Sequence, residues 1–172
     1  MATTMANRST FVAVDTNFLL DLALPKDRAH DTIEIIRKRV QGVEFIIPPT
    51  VLDEIQFISE QGLVKADRDL ATAAARNLVK VWRFRPLDFI PVGHGIVARI
   101  AETLRGPRLI PETEVNDSYI LAEAALSKCS VLLTSDQHLR DADRTLLSRA
   151  LKAADVDVVV ICTPAEIVRL FG

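Results

Sequence analysis

Four acidic residues stand where apolar runs give way to helical patterns. Asp15 closes the run in Val14-Asp15-Thr16-Asn17, and Glu54 follows Pro49-Thr50-Val51-Leu52-Asp53. Asp117 lies in Glu114-Val115-Asn116-Asp117-Ser118, and Asp136 ends Leu133-Thr134-Ser135-Asp136. Each has an ordinary structural use: Asp15, Thr16, Asn116 and Asp136 suit helix N-caps, and Glu54 suits an exposed helix position. Together they ask for a different chemistry. Converging carboxylates raise one another's pKa unless a cation neutralises them. Oxygen-only donors select a hard cation such as Mg²⁺ or Mn²⁺. One or two such ions activate water, orient a scissile phosphate and stabilise the leaving oxygen. Glu114, three residues before Asp117, is either an auxiliary ligand or favourable charge at a helix N-terminus. Asp53 adjoins Glu54 and is expected to point elsewhere.

Strands alternating with helices must position these acids. Phe11–Val14, Phe45–Ile47 and Val131–Leu133 are short continuous apolar runs, as expected of strands buried on both faces. Phe89–Val92 reads as a weaker strand, placed at a sheet edge because of Pro91, and Val158–Ile161 reads as the last strand. Ile33, Ile36 and Val40 recur at helical spacing, as do Leu146, Leu147, Ala150, Leu151 and Ala154. The alanine-rich segment from Val64 to about Trp82 lacks Gly and Pro, which predicts one long helix. Such alternation implies a parallel sheet covered on both faces. In such sheets ligands bind outside the carboxyl ends of the strands, where Asp15 and Asp136 stand and which the helices bearing Glu54 and Asp117 can reach.

Composition limits the partners. The 172 residues hold 21 Lys+Arg against 23 Asp+Glu, a net charge of −2, and 49% are hydrophobic. Wholesale disorder and a uniformly basic nucleic-acid-binding surface are both excluded. Residues 61–108 are locally basic, with nine Lys+Arg and four Asp+Glu. On the expected long helix, Lys65, Arg68, Arg76, Lys80 and Arg83 share about a third of the circumference. Arg76 and Lys80 are therefore candidate RNA contacts, although a charged stripe is more commonly the solvated face of an amphipathic helix. No apolar run is long enough for a membrane span, and residues 1–10 read as a short flexible tail without a signal peptide's apolar core. Cys129 and Cys162 read as small buried hydrophobes. A cytoplasmic protein is expected.

With the acids and their spacing in view, the chain resembles the PIN domain, the nuclease fold of VapC-type toxins and of RNA-processing endonucleases. The resemblance rests on Val14-Asp15-Thr16-Asn17, on Thr50–Ile55 with Glu54, on Asn116-Asp117 followed by Ile120, Ala122 and Ala125, and on Leu132–Asp136. It implies a three-layer α/β/α fold with a five-stranded parallel sheet of order 3-2-1-4-5, over a single domain spanning 11–172. It maps the acidic quartet of catalytic and metal-binding residues onto Asp15, Glu54, Asp117 and Asp136, and its supporting polar residues onto Thr16, Asn17 and Thr134. It implies Mg²⁺- or Mn²⁺-dependent cleavage of RNA to 5′-phosphate and 3′-hydroxyl ends, a homodimer and, for toxin members, a small antitoxin. The chain is longer than a typical VapC-type toxin, and the excess falls in a helical stretch at about 62–87.

Other α/β folds fit less well. A haloacid-dehalogenase-like phosphatase needs an acid where Asn17 stands, and a receiver domain needs a lysine where Cys162-Thr163-Pro164 follows the last strand. No Gly-rich phosphate loop is present. His30, His94 and His138 are scattered, with His138 two residues beyond Asp136. A PIN-fold module that binds RNA or protein with little catalysis is the alternative of a different class.

Overall fold

The structure, a computed structural model, describes residues 9–25 and 27–172. Its order is β1 (Thr10–Val14), α1 (Thr16–Ala23), α2 (Asp27–Arg39), β2 (Val43–Ile47), α3 (Pro49–Gln61), α4 (Lys65–Asn77) and β3 (Arg85–Pro86). Then follow α5 (Pro91–Thr103), α6 (Val115–Leu126), β4 (Val131–Leu133), α7 (Gln137–Asp141), α8 (Arg144–Ala153), β5 (Val160–Cys162) and α9 (Pro164–Phe171). The strands form one sheet of order β3-β2-β1-β4-β5, every pairing parallel. The expected N-terminal tail lies outside the described residues except at its end, where Thr10 already opens β1.

Successive residues of a strand face opposite sides of its sheet. Val12, Ala13 and Val14 are all buried, as are Phe45, Ile46 and Ile47 on β2. Both faces of the central strands are therefore covered by helices, and the apolar runs are continuous for that reason. β1 pairs with β2 on one side and β4 on the other, Ala13 standing opposite Ile46 and Leu132. This central position places Asp15 at the middle of the sheet's carboxyl edge.

Three sequence expectations are corrected. The alanine-rich helix stops at Asn77 rather than running to Trp82. Leu78, Trp82 and Phe84 turn inward to be buried, with Phe84 stacked at 5.1 Å on Phe45 and 5.9 Å from Trp82. Arg83 takes a left-handed φ of 57° to make that turn. Packing on the sheet overrides helix propensity, which is worth only tenths of a kcal/mol per residue. The edge strand is Arg85–Pro86, not Phe89–Val92, because Pro91 opens α5 in its first turn, where its fixed φ and missing N–H cost nothing. The last strand is Val160–Cys162, shifted from Val158–Ile161. Leu133 pairs with Cys162 in that register, and Ile161 is the residue it buries.

Candidate functional site

Asp15 follows the last residue of β1 and caps α1. Its backbone N–H donates to Leu133 O at 3.0 Å, extending the ladder to β4. Its carboxylate, only 2% exposed, accepts from Thr16 N and from Thr134 Oγ1, both at 2.6 Å. The wholly buried Thr134 hydroxyl also accepts from Asp136 N at 2.9 Å. One threonine thus ties the ends of two adjacent strands. Asp136 caps α7, accepting from His138 N at 2.7 Å, and receives Asn17 Nδ2 at 3.4 Å.

Glu54 arrives from the β2 side. Pro48-Pro49 ends the strand and starts α3, which carries Glu54 over the edge in its second turn. The Thr16 hydroxyl donates to Glu54 Oε2, and Asn116 Nδ2 donates to Oε1 at 2.7 Å. Asn116 lies in the first turn of α6, next to Asp117. Asp117 Oδ2 is buried with no hydrogen-bond partner. A buried carboxylate oxygen left unpaired is costly, and this is the one such side-chain atom among the described residues.

All four acids line one open cleft of about 810 Å³, together with Glu114 and Asp53. The cleft's walls hold six carboxylates and, among the described residues, no Lys, Arg or His. Burial, followed by repulsion from Asp136, Asp15, Glu114 and Glu54 in that order, pushes the Asp117 carboxyl up to about 8. Burial likewise pushes Asp15 up to about 6, against the hydrogen bonds from Thr134 and Thr16 and with Glu54 and Asp136 adding to the rise. Among the described residues, no three Asp, Glu, His or Cys side chains stand as a preassembled metal-ligating group. Three of the acids are held instead by hydrogen bonds to Thr16, Asn17, Asn116 and Thr134. An all-oxygen donor set with an orphaned buried oxygen fits a hard divalent cation.

The structure thus brings Asp15, Glu54, Asp117, Asp136, Thr16 and Asn17 to one cleft, with Thr134 directly beneath Asp15. Glu114 lines it too, as the N-cap residue of α6 rather than a residue within the helix, and lies 3.6 Å from His138. Asp53, expected to point elsewhere, also lines it, because an open cleft reaches more of α3 than one helical face. Arg76 and Lys80 are exposed but lie outside the cleft. The expected basic stripe does not survive, because Lys80 and Arg83 fall beyond the end of α4. Lys65 pairs with Asp69, and Arg68 donates to Gly62 O at 2.6 Å.

Two supporting residues escaped sequence reasoning. Asn116 looked like a cap, but its amide is spent on Glu54 across helices. Glu123 is buried on α6 and accepts from Thr50 N at 3.1 Å and Thr50 Oγ1 at 2.7 Å. It fastens the first turn of α3 to the helix that carries Asp117. The only signal for it was an acid amid the apolar Ile120–Leu126 segment.

The family model described as PIN domain matches residues 12–145. No curated protein matches the sequence. Solved structures do. One is the crystal structure of VapBC2 from Rickettsia felis bound to a DNA fragment from its promoter, 15% identical, with a TM-score of 0.59 over 90% of this chain and 98% of that one. Another is FitAB bound to the IR36 DNA fragment, 19% identical, with a TM-score of 0.50 over 89% of this chain and 94% of the other. FitAcB from Neisseria gonorrhoeae is similar at 16% identity and a TM-score of 0.50, over 90% and 98% of the two chains.

Proposed function

The chain belongs to the PIN domain family, whose members are generally nucleases, and from that premise we propose that its acidic cleft hydrolyses RNA phosphodiester bonds with Mg²⁺ or Mn²⁺. The observation that carries the reading is the buried, unpartnered Asp117 Oδ2 among carboxylates that raise its affinity for protons. Asp15, Glu54, Asp117 and Asp136 would hold the cation, which neutralises them and supplies an activated water and a polarised phosphate. Thr134 and the Thr16 amide fix Asp15, Thr16 and Asn116 orient Glu54, and Asn17 reaches Asp136. Glu114 is a candidate auxiliary ligand. Arg76 and Lys80, off the cleft, would touch only RNA that flanks the cleaved bond.

Two of the similar solved structures, VapBC2 and FitAB, are complexes bound to DNA, which supports a further reading. In it the chain is the toxin of a toxin–antitoxin pair, bound by a small partner protein and itself homodimeric. No helix among the described residues is long and apolar enough to cross a membrane, in keeping with a cytoplasmic site of action.

The test is incubation of purified protein with single-stranded RNA, with and without Mn²⁺, beside Asp15→Asn. Cleavage by the wild type only, and only with metal, is expected. Equal cleavage by both proteins would assign the activity to a contaminant. Binding of RNA without cleavage by either would favour a PIN-fold binding module.

A further inference from the structure

A second concavity, of about 510 Å³, opens beside the acidic cleft. It too lies at the carboxyl edge of the sheet, beyond β4 and β5, and its walls include Asp21 of α1, Arg28 of α2, Ser135, Arg140 of α7 and Thr163. Two elements form the partition between the concavities. On α1, Asn17 and Leu20 face the acidic cleft and Asp21 faces this one. After β4, Asp136 faces the cleft and its neighbour Ser135 faces this side. Adjacent Cα atoms are about 3.8 Å apart, so a strand lying over Asp136 continues directly over Ser135.

The charge changes sign across that partition. Among the described residues, the cleft holds six carboxylates and no cationic side chain, whereas the second concavity holds two guanidinium groups and one carboxylate. Arg28 and Arg140 are exposed and form no ion pair among the described residues, unlike Arg85, Arg105, Arg108 and Arg144, which do. Asp21 is already engaged, receiving the Ser135 hydroxyl at 3.4 Å. The Thr163 hydroxyl is spent in the capping box of α9. The groups left to meet a ligand are therefore two planar, always-charged forks suited to phosphate oxygens.

Resting on the nuclease reading above, we propose that the Arg28–Arg140 pocket is a backbone-phosphate subsite, holding the phosphate next to the one that lies over Asp136. A strand drawn across the edge then meets carboxylates at the cleaved bond and guanidinium groups beside it. This division explains how a chain with a net charge of −2 holds a polyanion: attraction is local and set one step from the chemistry.

The test is the salt dependence of binding between a short single-stranded RNA and the chain carrying Asp15→Asn, which keeps the RNA intact. Each phosphate contact contributes a slope of about 0.7 in log K against log salt for a single strand. Arg28→Gln and Arg140→Gln should each flatten the slope by about that amount, while Arg149→Gln, an exposed arginine of α8 outside both concavities, should weaken binding least and leave the slope in place. In the cleaving protein the same two variants should raise KM several-fold with little change in kcat. RNA binding whose slope neither variant moves would overturn the subsite and leave the nuclease reading standing. Failure of the Asp15→Asn chain and the wild type alike to bind RNA would overturn both.

Discussion

At the scale of single residues, the site is built from carboxylates that the fold keeps at a cost. Asp117 is the extreme case. Its Oδ2 is buried without a partner, and its ordinary value of 3.8 is pushed up to about 8. In a chelator at pH near 8, Asp117→Asn should therefore stabilise the chain, by about 1–3 kcal/mol, because it removes a charge that burial and the neighbouring carboxylates oppose. Thermal melts check this. The same substitution should abolish RNA cleavage and remove the rise in Tm that Mn²⁺ gives the wild type, since a ligand that binds only the folded state stabilises it by mass action. A loss of stability in chelator would contradict the account. Thr16 belongs to the same scale. Its hydroxyl orients Glu54, so Thr16→Val should lower metal affinity or kcat roughly 10–100-fold with the melting temperature nearly unchanged. Asp15 and Asp136 were legible as acids at strand ends, and Glu54 and Asp117 as acids on helices able to reach the same edge; all four line one cleft. Thr16, Asn17 and Thr134 were legible only through the resemblance, and their partners were not. Thr16 gives its amide to Asp15 and its hydroxyl to Glu54, a division that depends on where α3 crosses the edge.

At the scale of elements, the central strands were readable because burial on both faces leaves an unbroken apolar run. The edges were not. β3 is two residues long and β5 three, and an edge strand with one paired side leaves Val160 half exposed, so neither shows the pattern of a buried strand. The end of α4 was hidden for another reason: the turn lets Phe84 meet Phe45, a contact between distant parts of the chain, with Trp82 packed against Phe84. Helix-to-helix fastening was hidden too, because Glu123 looks like any helical glutamate until Thr50 is placed opposite. Burial pushes Glu123 from its ordinary 4.5 up to about 7, opposed by the two Thr50 bonds and by His94, with Asp53 adding slightly. A raised acid pKa in the folded chain means that it holds a proton that the unfolded chain has released. Stability should therefore fall as pH rises from about 4.5 to about 7. Melts in chelator across this window should show that fall reduced in Glu123→Gln, by at most about 3 kcal/mol. Identical pH profiles for the two proteins would show that Glu123 stays ionised.

At the scale of the whole molecule, the sheet gathers opposite charges along one edge. Near-neutral composition excluded a broadly basic binder, and the fold sharpens that exclusion. The central basic stretch is dispersed, with Lys65 and Arg68 committed locally and Arg76 off the cleft. The acids, scattered from 15 to 136 in sequence, converge. A parallel sheet with β1 at its centre makes this possible, since consecutive strand ends all open on the same side. The match of residues 12–145 to the PIN domain and the sheet order 3-2-1-4-5 agree on that architecture. The proposed division of labour along the edge sets carboxylates to the cation and arginines to the strand. The claim at its centre is that the four carboxylates form a divalent-cation site. Crystals soaked in Mn²⁺ and measured for its anomalous scattering test it most directly. The account predicts a peak bonded by carboxylates of the Asp15, Glu54, Asp117 and Asp136 group, and its loss in Asp117→Asn. Wild-type crystals at saturating Mn²⁺ with no peak in the cleft would contradict it.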